Sequence, residues 1–216
     1  MLKMHFLKTN NFYQRVATSL FLLPFFVYCF VYMPFLFCAV LIFCLMFILV
    51  YEWPVLCPIS HAYFFLKTFF YPIIPFLSLV FLYLFFRTKL ALLWAYVCCF
   101  DTACYVIGNF VGTTSITQIS PKKTWEGLIG GIIICQLIFL FVHRYVFCEL
   151  IGYEFFIFYF LVSVAAFCGD LFESWLKRNA GIKNSGTILP GHGGLLDRFD
   201  SILFVAVVYI LYEIMH

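Results

Sequence analysis

Two pairs of carboxylates, Asp170 with Glu173 and Asp197 with Asp200, stand three residues apart near the C-terminal end of the sequence. On a helix, that spacing puts both members of a pair on one face, where they can hold a divalent cation or pair with basic groups. Between the pairs lie Ser174, Lys177, Arg178, Lys183 and His192, with Gly181, Gly186, Gly191, Gly193 and Gly194. Glycine lets a backbone approach a phosphate closely, and the basic side chains balance its charge. Carboxylates for a cation beside cations for phosphates are what metal-assisted phosphoryl or nucleotidyl transfer requires. His192, flanked by glycines, suits a hydrogen-bond donor to phosphate or a proton carrier. The plainer alternative is a flexible loop with ordinary basic anchoring.

Two further polar features lie upstream. Asp101 sits inside an apolar run, where an ionised carboxylate is costly unless it faces protein, a cation or water. It is either a hydrogen-bonded structural carboxyl or a phosphate- or metal-related one at the mouth of a cavity. The segment Ser120-Pro121-Lys122-Lys123-Thr124-Trp125-Glu126-Gly127 places two lysines just before an apolar helix, whose N-terminal amides also attract anions. Those lysines suit lipid phosphate at the surface or a polyphosphate in a site, and Glu126 suits a helix cap as well as it suits chemistry. A Walker A loop and a dinucleotide fingerprint are both missing, which disfavours P-loop hydrolysis and nicotinamide redox. Of ten cysteines, nine lie in or beside apolar runs and none forms a CxxC pair, so neither a disulfide framework nor a zinc site is expected.

The elements that must position these groups are membrane spans. Hydrophobic residues make up 65% of the chain and charged residues 11%, against roughly 25% charged in soluble domains. The 31 Phe and 14 Tyr suit lipid-facing helices and their interfacial ends. Apolar runs cover Val16–Met33, Phe35–Val50, His61–Phe86, Leu90–Ile107, Gly127–Phe147, Phe155–Phe167 and Ser201–Met215. The pattern predicts an all-α polytopic integral membrane protein of about seven transmembrane helices. Pro34 breaks the first two runs into a hairpin, and the second closes at Glu52-Trp53-Pro54. Pro72 and Pro75 make residues 61–86 one kinked span or a re-entrant pair. The first run is too long for a signal-peptide h-region and reads as an uncleaved span. Lys3, Lys8, Arg15, Lys122, Lys123, Lys177, Arg178, Lys183 and Arg198 fall on one side, and by the positive-inside rule that side is cytoplasmic. Arg87, Lys89 and Arg144 fall on the other. Basic residues form no stripe of the kind that binds nucleic acid.

At these residues the sequence resembles the phosphatidate cytidylyltransferase (CDP-diacylglycerol synthase) family. Its C-terminal pattern is a Ser, two residues, Lys-Arg, a further Lys-Asp, then Pro-x-His-Gly-Gly-x-x-Asp-Arg-x-Asp. Ser174, Lys177, Arg178, Lys183, Pro190, His192, Gly193, Gly194, Asp197, Arg198 and Asp200 follow it in order and spacing. The stretch around Lys122 and Lys123 is similar to the family's Ser-Pro-x-Lys-Thr-x-Glu-Gly element, and Asp101, Thr102, Tyr105 and Gly108 to its Asp-x-Gly-x-Tyr-x-x-Gly region. Two positions depart from the pattern: Asn184 stands where an Asp is usual, and Ala103 where a Gly is usual.

The resemblance implies transfer of CMP from CTP to phosphatidic acid, giving CDP-diacylglycerol and pyrophosphate, with Mg²⁺ and room for a second cation. It implies catalytic roles for Asp197, Asp200, Lys177, Arg178, Lys183 and Arg198. Substrate binding falls to Lys122, Lys123, Ser174, His192, Gly193 and Gly194, and metal ligation to Asp197, Asp200, Asp170 and Asp101. Residues 1–100 are expected to be N-terminal membrane helices and 101–216 the catalytic membrane region. Its two polar interruptions would be halves of one cytoplasm-facing site in a bacterial inner membrane. A homodimer through apolar faces is compatible with the composition. The alternatives are another nucleotide-dependent lipid enzyme, such as a lipid-alcohol kinase, and a non-enzymatic transporter or scaffold.

Overall fold

Proline and the apolar runs dictate where the helices begin and break. A computed structural model describes residues 20, 22–58, 63–146, 152–186, 188 and 193–215. Lys3, Lys8, Arg15, the start of the first expected span, Pro190, Gly191 and His192 lie outside the described residues. Among the described residues the named elements are all helical, and an isolated bridge joins Ser115 to Thr124. Five helical stretches among the described residues are long and apolar enough to cross a membrane: Pro34–Leu56, Phe64–Phe85, Arg87–Val111, Trp125–Tyr145 and Tyr153–Asn179. The chain is a multi-pass membrane protein. Its outward apolar side chains, such as Phe35, Phe65 and Phe110, are what contact with lipid requires.

The chain divides into two compact units, residues 1–84 with 176–199 and residues 85–175 with 200–216. In unit one, α1 (Leu22–Tyr32) stops at Met33 and α2 (Pro34–Phe47) begins at the proline. Pro suits a first helical position because its missing N–H would have no partner there. In one continuous helix Phe26 and Phe37 would be about 16 Å apart along the axis. Their rings are 4.9 Å apart instead, so the chain folds back at Met33. Tyr83 locks the turn, its ring packed at a tilt 4.4 Å from that of Phe37 and its hydroxyl donating to the Phe30 carbonyl at 2.9 Å.

The second span overruns its expected end at Val50. A π-helical turn, Ile48–Glu52, carries α2 into α3 (Trp53–Leu56). The extra residue in that turn lets two consecutive side chains, Glu52 and Trp53, both point inward, at 2% and 1% exposure. Trp53 donates its indole N–H to Thr68 at 2.7 Å, joining α3 to α4 (Phe64–Thr68). The segment after α4 is helical except at Tyr71, whose φ of −154° and ψ of 112° show the extended bias a following proline imposes. It then continues as α5 (Ile74–Phe85). Residues 64–85 thus form one interrupted span.

Unit two is built from α6 (Arg87–Val111), α7 (Trp125–Tyr145), α8 (Tyr153–Asn179) up to Trp175, and α9 (Asp200–Met215). Tyr96 centres its core, 2.6 Å from the Ser163 hydroxyl and packed on Phe139 and Tyr159. The helix expected over Phe155–Phe167 runs twelve residues further, to Asn179. Asp170, Glu173 and Lys177 recur at i, i+3 and i+7, so a polar face extends the helix instead of ending it. α8 stops at Gly181, whose φ of +72° closes a Schellman turn: Ile182 N–H donates to Lys177 O at 2.9 Å and Gly181 N–H to Arg178 O at 3.0 Å.

Candidate active site

In unit two Asp101, Lys122, Lys123, Asp170 and Asp200, five of the expected site residues, come together where glycine lets backbones touch. A Cβ on Gly127 would lie 2.8 Å from the Cys104 carbonyl oxygen, and one on Gly131 would lie 2.4 Å from Cys104 Sγ. α6 and α7 therefore meet backbone to backbone, in the small-residue packing typical of membrane helices. The loop between them folds on itself. Ile116 N–H donates to Lys123 O at 2.8 Å and Trp125 N–H to Thr114 O at 3.1 Å. At its tip, Lys123 N–H donates to Ser120 O at 3.1 Å, a turn for which Pro121 presets the second position. Thr124 caps α7 by accepting from Gly127 N–H at 3.2 Å. Glu126, open between cap and catalyst on sequence grounds, accepts from the Thr113 hydroxyl at 2.8 Å and from both the hydroxyl and N–H of Thr114. It ties the loop to the first turn of α7.

This scaffold presents a cavity of about 260 Å³ lined by Phe100, Asp101, Cys104, Tyr105, Lys122, Lys123, Phe167 and Asp170, among others. Lys122 is exposed. Lys123 is held between the Asp170 carboxylate, 2.6 Å from its ammonium, and the ring of Phe167, whose centroid is 5.1 Å away. Asp101 hydrogen-bonds Ser201 and lies within electrostatic reach of Asp170, Asp200 and Lys123. Asp200 reaches this group because a Cβ on Gly169 would stand 2.5 Å from the Asp200 carbonyl; the glycine next to Asp170 admits the start of α9. Asp101 thus has two further carboxylates, Asp170 and Asp200, and one ammonium, Lys123, within electrostatic reach, and of the three carboxylates Asp170 makes the ion pair with Lys123. A cavity of about 310 Å³ at the other ends of the same helices is lined by Lys89, His143, Glu154 and Glu213, among others; it contains none of the expected site residues.

In unit one the C-terminal motif forms a clamped loop. Lys177, on the last turn of α8, reaches the Asp197 carboxylate at 2.6 Å, with side chains 13% and 7% exposed. The other oxygen of Asp197 accepts from Ser185 N–H at 3.1 Å and Gly194 N–H at 2.8 Å. Asp197 lies in a short 3₁₀ turn, Leu196–Arg198, while Asp200 begins α9. The two belong to different elements, so the single helix on which their spacing would pair them is not formed. Gly193 takes a φ of +91°, a conformation that admits glycine most readily. Arg178 donates to Ile182 O at 3.1 Å, and Lys183, Asn184 and Arg198 are exposed. Ser174 lies on α8 among the residues of unit two. His192 lies outside the described residues.

Sequence reasoning missed Glu52, which it took as the close of a span. Its carboxylate accepts from the Ser185 hydroxyl at 2.9 Å, from Leu195 N–H at 2.6 Å and from Leu196 N–H at 2.9 Å. One signal was available: Glu52 is the only acidic residue in the first hundred.

Comparison with known proteins gives this arrangement a family. The model of the cytidylyltransferase family matches residues 57–215. The chain is 43% identical over 108 residues to "Phosphatidate cytidylyltransferase 4, chloroplastic" of Arabidopsis thaliana, covering 50% of this chain and 28% of that one. It is 45% identical over 109 residues to phosphatidate cytidylyltransferase of Helicobacter pylori, covering 50% and 40%. With the Thermotoga maritima protein of the same name, identity is 43% over 124 residues, covering 54% and 46%. The matches span less than half the length of these curated relatives. With the family model matching most of its length, the chain belongs to the cytidylyltransferase family.

Proposed function

We propose that this protein is a phosphatidate cytidylyltransferase, transferring CMP from CTP to phosphatidic acid. The observation that carries the reading is Lys123, held by Asp170 and Phe167 in a cavity that Asp101 and Lys122 also line. The names of the relatives support the substrates. In the reaction, a phosphatidate oxygen forms a bond to the α-phosphorus of CTP while the bond from that phosphorus to the β-phosphate bridging oxygen breaks. CDP-diacylglycerol forms and pyrophosphate leaves. The nucleophile is already an anion, so the protein's task is positioning and charge neutralisation more than proton removal.

Lys122 and Lys123 bind phosphate oxygens, and α7 adds its N-terminal amides. In unit one Lys177, Arg178, Lys183 and Arg198 serve the same purpose, with Ser174, His192, Gly193 and Gly194 lining the substrate. Mg²⁺ suits the carboxylates of unit two. Among the described residues no three His, Cys, Asp or Glu side chains form a ready cage. Mg²⁺ needs none, since it keeps waters and binds through one or two carboxylates plus substrate phosphates. Asp101, and Asp170 and Asp200 within its electrostatic reach, offer hard oxygen donors. When bound, the ion neutralises charge on the phosphates. Asp197 has both oxygens engaged by Lys177, Ser185 and Gly194, so its role here is to hold the motif loop and Lys177.

α1 and α9 are the first and last of seven spans, the polar loops face the cytoplasm, and the membrane is a bacterial inner membrane. Residues 101–216 are the catalytic membrane region, and homodimerisation is compatible with the apolar faces. Purified protein in lipid nanodiscs, given CTP, phosphatidate and Mg²⁺, forms CDP-diacylglycerol and pyrophosphate in equal amounts. Release of CDP with a phosphorylated lipid alcohol would make it a kinase, and absence of nucleotide turnover would leave a transporter or scaffold. Reporter fusions after each span test the orientation.

A further inference from the structure

We propose that Glu52, which lies outside the region matched by the family model, is a positioning residue that sets the conformation of the C-terminal motif loop from the N-terminal spans. A carboxylate at 2% exposure within an apolar span is expensive unless its oxygens are satisfied. Here both are. One oxygen takes Leu195 N–H at 2.6 Å, and the other takes the Ser185 hydroxyl and Leu196 N–H at 2.9 Å each.

The three donors come from both ends of the loop. Asp197 grips the same two ends, through Ser185 N–H and Gly194 N–H. Ser185 is therefore shared, giving its hydroxyl to Glu52 and its amide to Asp197. The fit leaves no slack: a Cβ on Gly186 or Gly194 would come within 2.9 Å of Glu52 Oε1, and one on Gly194 within 1.9 Å of Ser185 Oγ. Motif glycines thus have a second purpose, letting the backbone close around this carboxylate. The gripped ends are Ser185 on one side and Gly194, Leu195 and Leu196 on the other, so their placement depends on a residue more than 130 positions earlier.

A glutamine cannot replace Glu52. Whichever way its amide is turned, the NH₂ group meets a backbone N–H, that of Leu195 or of Leu196, and one of the two loses its acceptor. The test is hydrogen–deuterium exchange of peptides covering Leu195 and Leu196, beside CTP kinetics with phosphatidate, on the full chain in nanodiscs. Glu52→Gln is expected to speed exchange at those amides at least tenfold while α6 and α7 keep their protection, and to lower kcat/KM for CTP at least tenfold. Glu52→Asp, retaining the charge, is expected to restore part of both. Ser185→Ala removes one donor without burying a new polar group, and is expected to give a smaller change in the same direction; it serves if the Glu52 variants fail to fold.

Unchanged exchange at Leu195 and Leu196 in Glu52→Gln and Ser185→Ala would overturn the proposal. So would a lowered melting temperature with wild-type kinetics per folded molecule, which is the mark of a merely structural residue. The kinetic arm rests on the function proposed above. If the wild-type chain turns over no CTP, that reading fails, while the exchange arm still decides the role of Glu52.

Discussion

The Lys123–Asp170 pair separates a structural charge from a catalytic one. Its N–O distance is 2.6 Å, with side chains 17% and 36% exposed. Two unit charges ~4 Å apart attract by about 4 kcal/mol at an effective dielectric of ~20. Desolvation and partial exposure reduce the net coupling to about 1–2 kcal/mol. Lys123→Met leaves Asp170 without its ion-pair partner, and Asp170→Asn leaves the ammonium with the ring of Phe167 and the longer-range charge of Asp101. Each single change is expected to destabilise the protein by about 1–2 kcal/mol, and the double variant to regain about half of that. Activity is expected to behave differently. Loss of a preorganised charge at the transferring phosphate costs about 10²–10³ in kcat, and removing Asp170 as well returns none of it. Thermal unfolding in detergent and initial rates of CDP-diacylglycerol formation, measured on all four proteins, provide the cycle. Recovery of near wild-type kcat in the double variant would refute the reasoning, because the pair would then serve only to hold the fold.

Asp197→Asn removes the charge facing Lys177 in a pair that is nearly buried; unfolding in detergent should show a loss of about 2–4 kcal/mol, with turnover falling as the loop loosens. Gly127→Ala places a methyl group 2.8 Å from the Cys104 carbonyl and is expected to cost about 1–3 kcal/mol, seen as a lower melting temperature with unchanged helix content. Lys89→Ala breaks an ion pair with Glu213 whose lysine is 56% exposed; the stability change should stay below about 1 kcal/mol and shrink further in high salt. Chelation with EDTA should abolish CDP-diacylglycerol formation, and Mg²⁺ should restore it.

What the sequence made legible is what proline, glycine and apolar runs decide locally. The break before Pro34, the interruption before Pro72 and the capped start of α7 each depend on residues within a turn of the event. The apolar run Phe155–Phe167 marks a span and not the end of its helix; the spacing of Asp170 and Glu173 is that of one helix face, and α8 carries both, with Lys177, to its end at Asn179. The folding of the 112–124 loop on itself was not legible, since its pairing depends on backbone donors that any residue carries. The site candidates in unit two were readable as charges that an apolar span would not retain without a partner. The partner of Glu52 was not, because the residues it holds are far along the chain and two of its three donors are main-chain amides.

The π-helical turn at Ile48–Glu52 has a consequence for which changes this span tolerates. An α-helix rotates about 100° per residue, and the widened turn absorbs one residue that a regular helix would not accommodate. Val50 and Tyr51 are exposed, so substitutions there should be nearly silent. Deleting either one would let the turn relax to ordinary helix and swing everything on one side of it through about 100° relative to the other, carrying Glu52 away from Ser185 or Phe37 away from Tyr83. In this stretch the number of residues is therefore under tighter constraint than their identity, and insertions and deletions should be far rarer than replacements.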